Sequence, residues 1–365
     1  MSPATSQRTG QRTGWLGRVG RRRETSVALA VVLVVVVATV ASPSFATGAD
    51  GFRNLLLTPA LLVLLAVGQA LVVVTKNIDL SVSAVLGLTA YATGWMFANT
   101  SLPAVVVVVL ALLLGPLLGL VNGVLVSVAR VPSLVITLGT LYAFRGVLVA
   151  WAGADRVNAS DLPSAFVSFG TGTVLGVPFI TLVAVLVLAA LAYLLHSTRS
   201  GRELYAIGSD PQAAVLYGLP VTRRVLAAFV ASGALAGLAG VLYAARYATI
   251  SSSAGAGLEL NAVAAAVIGG VAITGGSGTV VGAALGAVLL TTINRALPTV
   301  GIADFWQQAV VGALIIGAIV LDRLLVVRTA RRLVAARHQD HHGDHRGSPP
   351  PAGTADAQRL KEVAP

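Results

Sequence analysis

The sequence contains no cysteine and few charged or aromatic residues. The absence of cysteine from all 365 residues excludes disulfide bonds and thiolate metal sites. Charged residues make up 11% of the chain and aromatic residues 5%, whereas soluble domains carry roughly a quarter charged residues. A chain that is 56% hydrophobic and so poor in charge is expected to be a polytopic membrane protein.

The sequence also lacks the motifs of common catalytic centres. No glycine-rich stretch ends in Gly-Lys-Ser or Gly-Lys-Thr, so the chain is not expected to hydrolyse ATP. No Ser/His/Asp grouping or metal-ligand spacing is visible, and His196 stands alone at the end of an apolar run. We therefore predict a chain that is not an enzyme, with no catalytic residue, no metal site and no cofactor of its own.

Ten apolar runs are each close to the length of about 20 residues that a bilayer-spanning helix requires. The first also fits a signal peptide, but a retained helix is favoured because many spans follow. Two stretches, 79–98 and 259–297, are rich in Gly, Ser and Thr and fit broken or re-entrant helices. The predicted fold is an all-α polytopic membrane protein of about ten helices. The runs cover roughly residues 26–45, 55–75, 79–98, 103–129, 133–152, 173–196, 223–247, 259–274, 278–297 and 304–326.

Lysine and arginine are distributed unevenly among the segments that connect these runs. With a cytoplasmic N-terminus and ten crossings, most of the 25 lysine and arginine residues fall on the cytoplasmic side. The exceptions are Arg53, Arg145, Arg156, Arg246 and Arg295. Because basic residues concentrate on the cytoplasmic side of membrane proteins, both termini are predicted to be cytoplasmic. We attribute the net charge of +11 to this topology and not to nucleic-acid binding.

Composition divides the chain into three regions. Residues 1–24 are predicted to be a disordered, basic, cytoplasmic N-terminus, and residues 25–327 a transmembrane domain with a long polar loop at 197–222. Residues 328–365 are predicted to be a disordered cytoplasmic tail. The tail histidines lack apolar neighbours that would build a rigid metal site, so solvation is the favoured interpretation. They are His338, His341, His342 and His345.

The polar loop contains the signals of a short helix. Asp210 is suited to cap a helix N-terminus, Pro211 to the first helical position, and Gly218 to a turn that ends the helix. The residues between them predict about two helical turns with one apolar side. So short a helix is marginal alone in water, so we expect it to rest against the membrane domain or a partner.

Four stretches resemble one family of membrane proteins. Residues 78–82 read Ile-Asp-Leu-Ser-Val, which matches a Gly-Gly-Ile-Asp-Leu-Ser-Val-Gly signature with Lys76 and Asn77 in place of the first two glycines. Residues 122–146 contain the Asn-Gly, Pro-initiated helix, Thr-Leu-Gly and Arg-Gly of the same family. Residues 212–218 match the spacing of a Glu-Ala-Ala-x-x-x-Gly loop, with glutamine first, and residues 257–297 match a glycine-rich hairpin. In that hairpin Gly278, Gly282 and Gly286 recur every four residues, which favours close helix packing.

These stretches are similar to the permease subunits of bacterial ABC importers for monosaccharides, the ribose, xylose, galactoside, rhamnose and autoinducer-2 group. The resemblance implies an importer permease fold and a cytoplasmic coupling helix that lies in a groove of a partner ATP-binding subunit. It also implies a second permease subunit, identical or paralogous, and an extracytoplasmic sugar-binding protein. ATP and magnesium would be used by the partner ATPase. The coupling residues are expected to be Glu203, Asp210, Pro211, Gln212, Ala213, Ala214 and Gly218.

Polar residues in or beside the apolar runs are candidates for the substrate pathway. Asp79 fits a helix cap at least as well as a sugar contact. Arg145 fits equally an outward-reaching side chain and a cavity lining. Asn261, next to Glu259, could meet an incoming sugar or cap a helix. The candidates are Gln69, Asp79, Ser81, Asn122, Thr137, Arg145 and Asn261.

We therefore predict a lipid-embedded subunit of an ATP-driven importer of a pentose, rhamnose or autoinducer-2-like sugar in the bacterial cytoplasmic membrane. The alternative is an ion-coupled secondary transporter of a small polar solute. Such a transporter usually needs carboxylates within the membrane. The acidic residues of the apolar runs all lie near their ends, which disfavours this alternative. They are Asp79, Glu259, Asp304 and Asp322.

Overall fold

The computed structural model describes residues 23–303 and scattered residues between 306 and 320. The features below belong to one compact unit, Met1–Ile316, and the second unit, Gly317–Pro365, contains only two described residues. Nearly all of the N-terminal region predicted at 1–24, the tail 328–365 and its histidines lie outside the described residues.

The described chain is almost entirely helical, as lipid requires of segments that must satisfy their own backbone hydrogen bonds. Short 3₁₀ turns lie at Pro43–Phe45 and Ala159–Asp161. Strands β1 and β2 form an antiparallel hairpin in which Thr173 pairs with Pro178. The elements are α1 Arg23–Ala41, α2 Gly48–Val74, α3 Val82–Asn99, α4 Ala104–Ser127, α5 Ser133–Ala152, α6 Ser164–Thr171, β1 Thr173–Val174, β2 Val177–Pro178, α7 Phe179–Ser197, α8 Arg199–Ser209, α9 Pro211–Leu216, α10 Val221–Tyr247, α11 Leu258–Ile268 and α12 Val280–Thr299.

The helices divide into a buried centre and an exposed periphery. In their most apolar stretches, 94% of α2, 67% of α10 and 61% of α12 is buried. The corresponding share is 11% for α1 and α5, 17% for α7 and 22% for α4. The exposed side chains of these outer helices are mainly Leu and Val, the composition that contact with lipid tails favours. The bundle is thus built around α2 and α10.

Glycine allows α4 and α10 to approach closely. A Cβ added to Gly115 would lie 2.5 Å from Gly233 O, and one added to Gly233 would lie 2.5 Å from Gly115 O. Gly119 and Gly237 extend the same contact at a spacing of four residues. The predicted close face of Gly282 and Gly286 packs against α11, whereas Gly278 lies before α12, in a turn with φ of 120°.

Seven of the described helices are long and apolar enough to span a membrane. Stretch 79–98 enters α3, which continues unbroken from Val82 to Asn99, so it is not a broken helix. Stretch 259–297 is broken, because α11 has only 11 residues and is separated from α12 by residues 269–279. An α-helix of 11 residues is about 16 Å long, half the thickness of the hydrocarbon core. The tenth predicted span lies largely outside the described residues, and the count of about ten stays a prediction.

Two non-helical segments, 75–81 and 269–279, meet at one end of the bundle. Gly276 N donates to Val74 O at 2.9 Å, which joins the second segment to the end of α2. Lys76 has a φ of 67°, so a lysine holds the left-handed conformation at a position where the family signature carries glycine. We refer to these segments as the first and second breaks.

Candidate functional site

The short helix predicted in the polar loop is present as α9. Asp210 Oδ1 accepts from the backbone N–H groups of Gln212 and Ala213, each at 3.0 Å, so it caps the helix as expected. Pro211 is the first helical residue, and Gly218 follows the helix with a φ of 73°. Ala214 faces inward and is buried. Cap chemistry therefore correctly predicted both ends of α9.

Sequence reasoning missed α8, the 11-residue helix that precedes α9. The buried carboxylate of Glu203 on this helix accepts from Arg224 Nε at 2.6 Å and from Arg199 Nε at 2.8 Å. The hydrogen bond from Arg224, reinforced by that from Arg199, lowers the pKa of Glu203. Because Arg224 belongs to α10, this ion pair fixes α8 to a central helix. The missed signal was the helical spacing of Glu203, Leu204 and Ile207, which are three or four residues apart and form the buried face of α8.

Helix α8 also contacts the second break and the end of α2, where the first break begins. A Cβ on Gly208 would overlap Val74 O, so the two backbones are in direct contact where α2 ends. Tyr205 OH donates to Gly278 O at 2.9 Å, in the second break. A Cβ on Gly276 would lie 2.7 Å from Ser209 Cα. One helix outside the apolar runs therefore touches both interrupted regions of the bundle.

The outer side of α9 and its C-terminal turn is apolar and exposed. Leu216 is 87% exposed and Tyr217 is 85% exposed, and Val215 beside them is also exposed. These residues lie next to polar and charged positions rather than among the lipid-facing helices. Clustered apolar side chains in such a setting indicate a surface that a partner covers.

Five of the predicted pathway residues lie together in a buried polar cluster around Asp79. Its Oδ1 accepts from Ser81 N at 3.0 Å and Ser81 Oγ at 2.7 Å, and its Oδ2 accepts from Ser232 Oγ at 3.0 Å. Asn122 Nδ2 donates to Ser81 Oγ at 2.7 Å, and Thr140 Oγ1 donates to Asn122 Oδ1 at 2.7 Å. The donors form a series that ends at the carboxylate. The cluster joins α4, α5 and α10 to the first break.

Gln69 and Thr137 complete this cluster through the backbone of the first break. With its amide oriented to pair donors with acceptors, Gln69 donates to Asp79 O at 2.9 Å and accepts from Asp79 N at 3.2 Å. Thr137 Oγ1 donates to Ile78 O at 3.1 Å, and Ser133 Oγ accepts from Ile78 N at 3.1 Å. The backbone of this break is thus held by side chains in place of helical hydrogen bonds.

Arg145 lies apart from the Asp79 cluster and joins one loop of backbone to α5. Its guanidinium donates to Ser252 O at 3.2 Å and to Ala254 O at 2.7 Å, in the segment between α10 and α11. Arg246 likewise donates to a backbone carbonyl, that of Leu57, at 3.0 Å. Arginines at the end of the bundle opposite α8 and α9 therefore bind main-chain oxygens.

Asn261 lines a cavity of about 540 Å³ between α2, α10, α11 and α12. Sequence reasoning did not single out Tyr243, Tyr247 or Asn294, which line the same cavity. Each of them lies within or at the end of an apolar run, and only the packing of four helices brings them together. Within the described residues, no group of three or more metal-ligating side chains is present.

Comparisons with known proteins agree with this architecture. The family model of the branched-chain amino acid transport system / permease component matches residues 51–319. The chain is 36% identical over 352 residues to the autoinducer 2 import system permease protein LsrC of Enterobacter sp. (strain 638), covering 94% of this chain and 98% of that protein. It is 35% identical over 350 residues to the protein of that name from Escherichia coli (strain K12 / DH10B), covering 95% and 99%.

A third relative of the same name, from Klebsiella pneumoniae, is 35% identical and covers 94% of this chain and 98% of that protein. No solved structure matches the chain significantly. The resemblance to importer permeases is confirmed over nearly the whole chain, and these matches do not support the alternative of an ion-coupled transporter. The chain belongs to the family of permease components of transport systems whose model covers residues 51–319.

Proposed function

We propose that this chain is the membrane subunit that couples ATP hydrolysis by a separate ATPase to the import of autoinducer 2 or a closely similar small sugar. The substrate class is taken from the names of relatives that match almost end to end. The proposed partners are an ABC ATP-binding subunit, a second permease subunit and an extracytoplasmic sugar-binding protein.

The observation that carries the proposal is the placement of α8 and α9 between an exposed apolar surface and both breaks. The surface formed by Val215, Leu216 and Tyr217 supplies a contact for the ATPase. On the inner side, Glu203 joins α8 to α10, and Tyr205 joins it to the second break. Movement of the partner can thereby be passed to the segments where helices are interrupted.

Space beside α9 is consistent with movement of this element. A cavity of about 580 Å³ lies between α9, the first break and the segment joining α4 to α5. Lys76, Arg130 and Val215 are among its lining residues. A helix that borders such a space can be displaced without first breaking a packed core.

We assign the end of the bundle that carries α8 and α9 to the cytoplasm, with the N-terminus on the same side. The loop at 197–222 and the adjoining start of α10 contain Arg199, Arg202, Arg223 and Arg224. At the opposite end, Arg145 and Arg246 are hydrogen-bonded to carbonyls. Lysine and arginine are usually in excess in the loops on the cytoplasmic side of a membrane protein, so the basic loop is assigned to that side.

The test is reconstitution of this chain with an ABC ATPase, a sugar-binding protein and a second permease subunit from the same organism. ATP hydrolysis is measured in proteoliposomes with autoinducer 2, D-ribose and L-rhamnose added separately. Stimulation by one sugar, with uptake of that sugar, is the expected result. Uptake driven by a proton or sodium gradient without ATP would contradict the proposal.

A further inference from the structure

The cavity beside Asn261 combines aromatic and neutral polar side chains. Tyr243 and Tyr247 lie one helical turn apart in α10, with ring centroids 4.5 Å apart. Asn261 comes from α11, and Asn294 comes from α12. The volume of about 540 Å³ is in the range of small-molecule sites.

Four helices each present one face to this cavity. The lining residues recur at spacings of three or four: Thr58, Leu61 and Leu62 in α2, and Thr291, Asn294 and Arg295 in α12. The cavity lies towards the end of the bundle opposite α8 and α9, because Tyr247 ends α10 and Leu258 begins α11. The four helices build most of its wall, and Ser253, Gly255 and Ala256 of the segment between α10 and α11 complete it.

Several polar side chains that line the cavity lack hydrogen-bond partners, whereas Ser253, Thr291 and Arg295 are paired. Asn294 Oδ1 is shielded from solvent and accepts no hydrogen bond from the described part of the chain. The side chains of Tyr243, Tyr247 and Asn261 likewise make no hydrogen bond to the described residues. Buried polar groups are normally paired, so the shielded Asn294 Oδ1 calls for a partner from outside the fold. Tyr243 and Asn261 are half-buried and Tyr247 is exposed, so their polar groups are accessible to the same partner.

The lining also restricts the charge of that partner. No acidic side chain is found among the described residues that line the cavity. The one basic residue, Arg295, donates instead to Phe45 O at 3.0 Å and lies over the Phe45 ring. An amino acid would need counter-charges for both of its ends, which this lining does not offer. A neutral molecule with several hydroxyl groups and an apolar face fits amides beside tyrosine rings.

We propose that this cavity is the site at which the permease receives the sugar, with Tyr243 and Tyr247 against its apolar face and Asn261 and Asn294 on its hydroxyl groups. The inference rests on the proposed function, which supplies the import of a sugar. The inference adds to that function the residues that contact the sugar and a preference for an uncharged compound with several hydroxyl groups.

The absence of cysteine from the native chain permits a direct test. Asn261→Cys and Asn294→Cys variants are made singly and labelled with a small maleimide in proteoliposomes containing the whole complex. Labelling is measured with and without the binding protein loaded with autoinducer 2, D-ribose or L-rhamnose. We expect one sugar to slow labelling at both positions at least about threefold, because the occupied cavity excludes the reagent.

Two further single-cysteine variants serve as matched controls. Leu175→Cys, at the fully exposed turn between β1 and β2, should label rapidly with or without sugar. Ser83→Cys, at a wholly buried position whose hydroxyl has no partner in the described chain, should not label in either condition. Equal labelling at positions 261 and 294 with and without each sugar, in a complex that imports one of them, would overturn the inference and leave the proposed function intact.

Transport by cavity variants provides a second readout. Asn294→Leu and Tyr243→Ala should reduce the maximal uptake rate about tenfold, the factor expected for losing one good interaction. The half-saturating sugar concentration should not change, because the binding protein captures the sugar. Tyr243→Phe should keep most of the rate if the ring is the contact. Unchanged uptake by Asn294→Leu and Tyr243→Ala would refute the site, whereas failure of the unmodified complex to import any sugar would refute the proposed function.

Discussion

Two groups of polar side chains inside this protein differ in their hydrogen bonding. Around Asp79, the carboxylate, two serines, an asparagine and a threonine form one connected series of donors and acceptors. Around the cavity, Asn261, Asn294 and two tyrosines make no hydrogen bond to the described chain. Both groups contain residue types that suggest a substrate pathway. Their state of pairing separates a group that holds the fold from one that is open to a ligand.

Replacing Asp79 by alanine should have the largest effect. The change leaves Ser81 N, Ser81 Oγ and Ser232 Oγ without their acceptor, and three unpaired donors are expected to cost at least about 3 kcal/mol. We expect little folded protein, measured as detergent-stable yield and thermal midpoint. Ser83→Ala is the control, because the buried Ser83 hydroxyl has no partner in the described chain and its loss should be neutral. A stable Asp79→Ala protein that fails only in uptake would show that Asp79 acts in the substrate pathway and not in holding the fold.

A matched pair of asparagines tests the comparison directly. Asn122→Ala breaks the connection between Ser81 and Thr140 and should lower the free energy of unfolding by about 1–3 kcal/mol. Asn294→Ala removes an unpaired acceptor, so its effect on stability should be close to zero or favourable. The measurement is thermal unfolding of each variant in the same detergent. Equal destabilisation by the two changes would show that the two groups do not differ in their contribution to stability.

The ion pairs of Glu203 extend the comparison to the region outside the apolar runs. Glu203→Gln should reduce transport per ATP about fivefold while the complex still assembles, because α8 loses its charged connection to α10. Arg224→Gln should reproduce this effect. Arg199→Gln should have little effect, because that side chain is 84% exposed and solvent weakens its pairing. A severe defect in Arg199→Gln alone would contradict the assignment.

The lowered pKa of Glu203 sets the pH dependence of the same connection. A carboxylate with a depressed pKa contributes stability above its unfolded pKa, and the contribution is lost only as pH falls through the folded value. The ratio of transport to ATP hydrolysis should therefore stay constant between about pH 8 and 5. The ratio is measured across this range in unmodified and Glu203→Gln complexes. A fall in this ratio centred near pH 6 in the unmodified complex would show that Glu203 does not determine the pH dependence of coupling.

Gly218→Val should have a small effect on stability and should act mainly on coupling. Gly218 has a φ of 73° and open space around its Cα, so valine introduces only backbone strain of about 1–2 kcal/mol. We expect insertion to be normal and uptake in vesicles to fall, because the strain displaces the end of α9. Gly176→Val is the control, since Gly176 has a φ of 82° and equally open space in the β-hairpin. Equal loss of uptake in both variants would show that strain, and not its position, is responsible.

The sequence was sufficient for features that depend on local chemistry. The cap at Asp210, the proline that starts α9 and the glycine that follows it are adjacent in the chain, so their roles could be predicted. Gln69, Asp79 and Asn122 are polar residues in or beside apolar runs, which marked them as unusual. Their hydrogen-bond partners come from distant segments and could not be predicted. Asn294 has the same local signal, an amide within an apolar run, but sequence reasoning did not single it out. Tyr243 gave no such signal, because it joins Asn294 only when four helices pack.

Helix α8 fits closely against the end of α2, where the first break begins, and against the second break, with the Gly208 backbone on Val74 and the Tyr205 hydroxyl on Gly278. A displacement of α8 therefore acts on two interrupted helices at the same time. A conformer in which only one break has moved would lose one of these contacts. We accordingly expect the two breaks to rearrange together, so that the transport pathway opens in a single kinetic step.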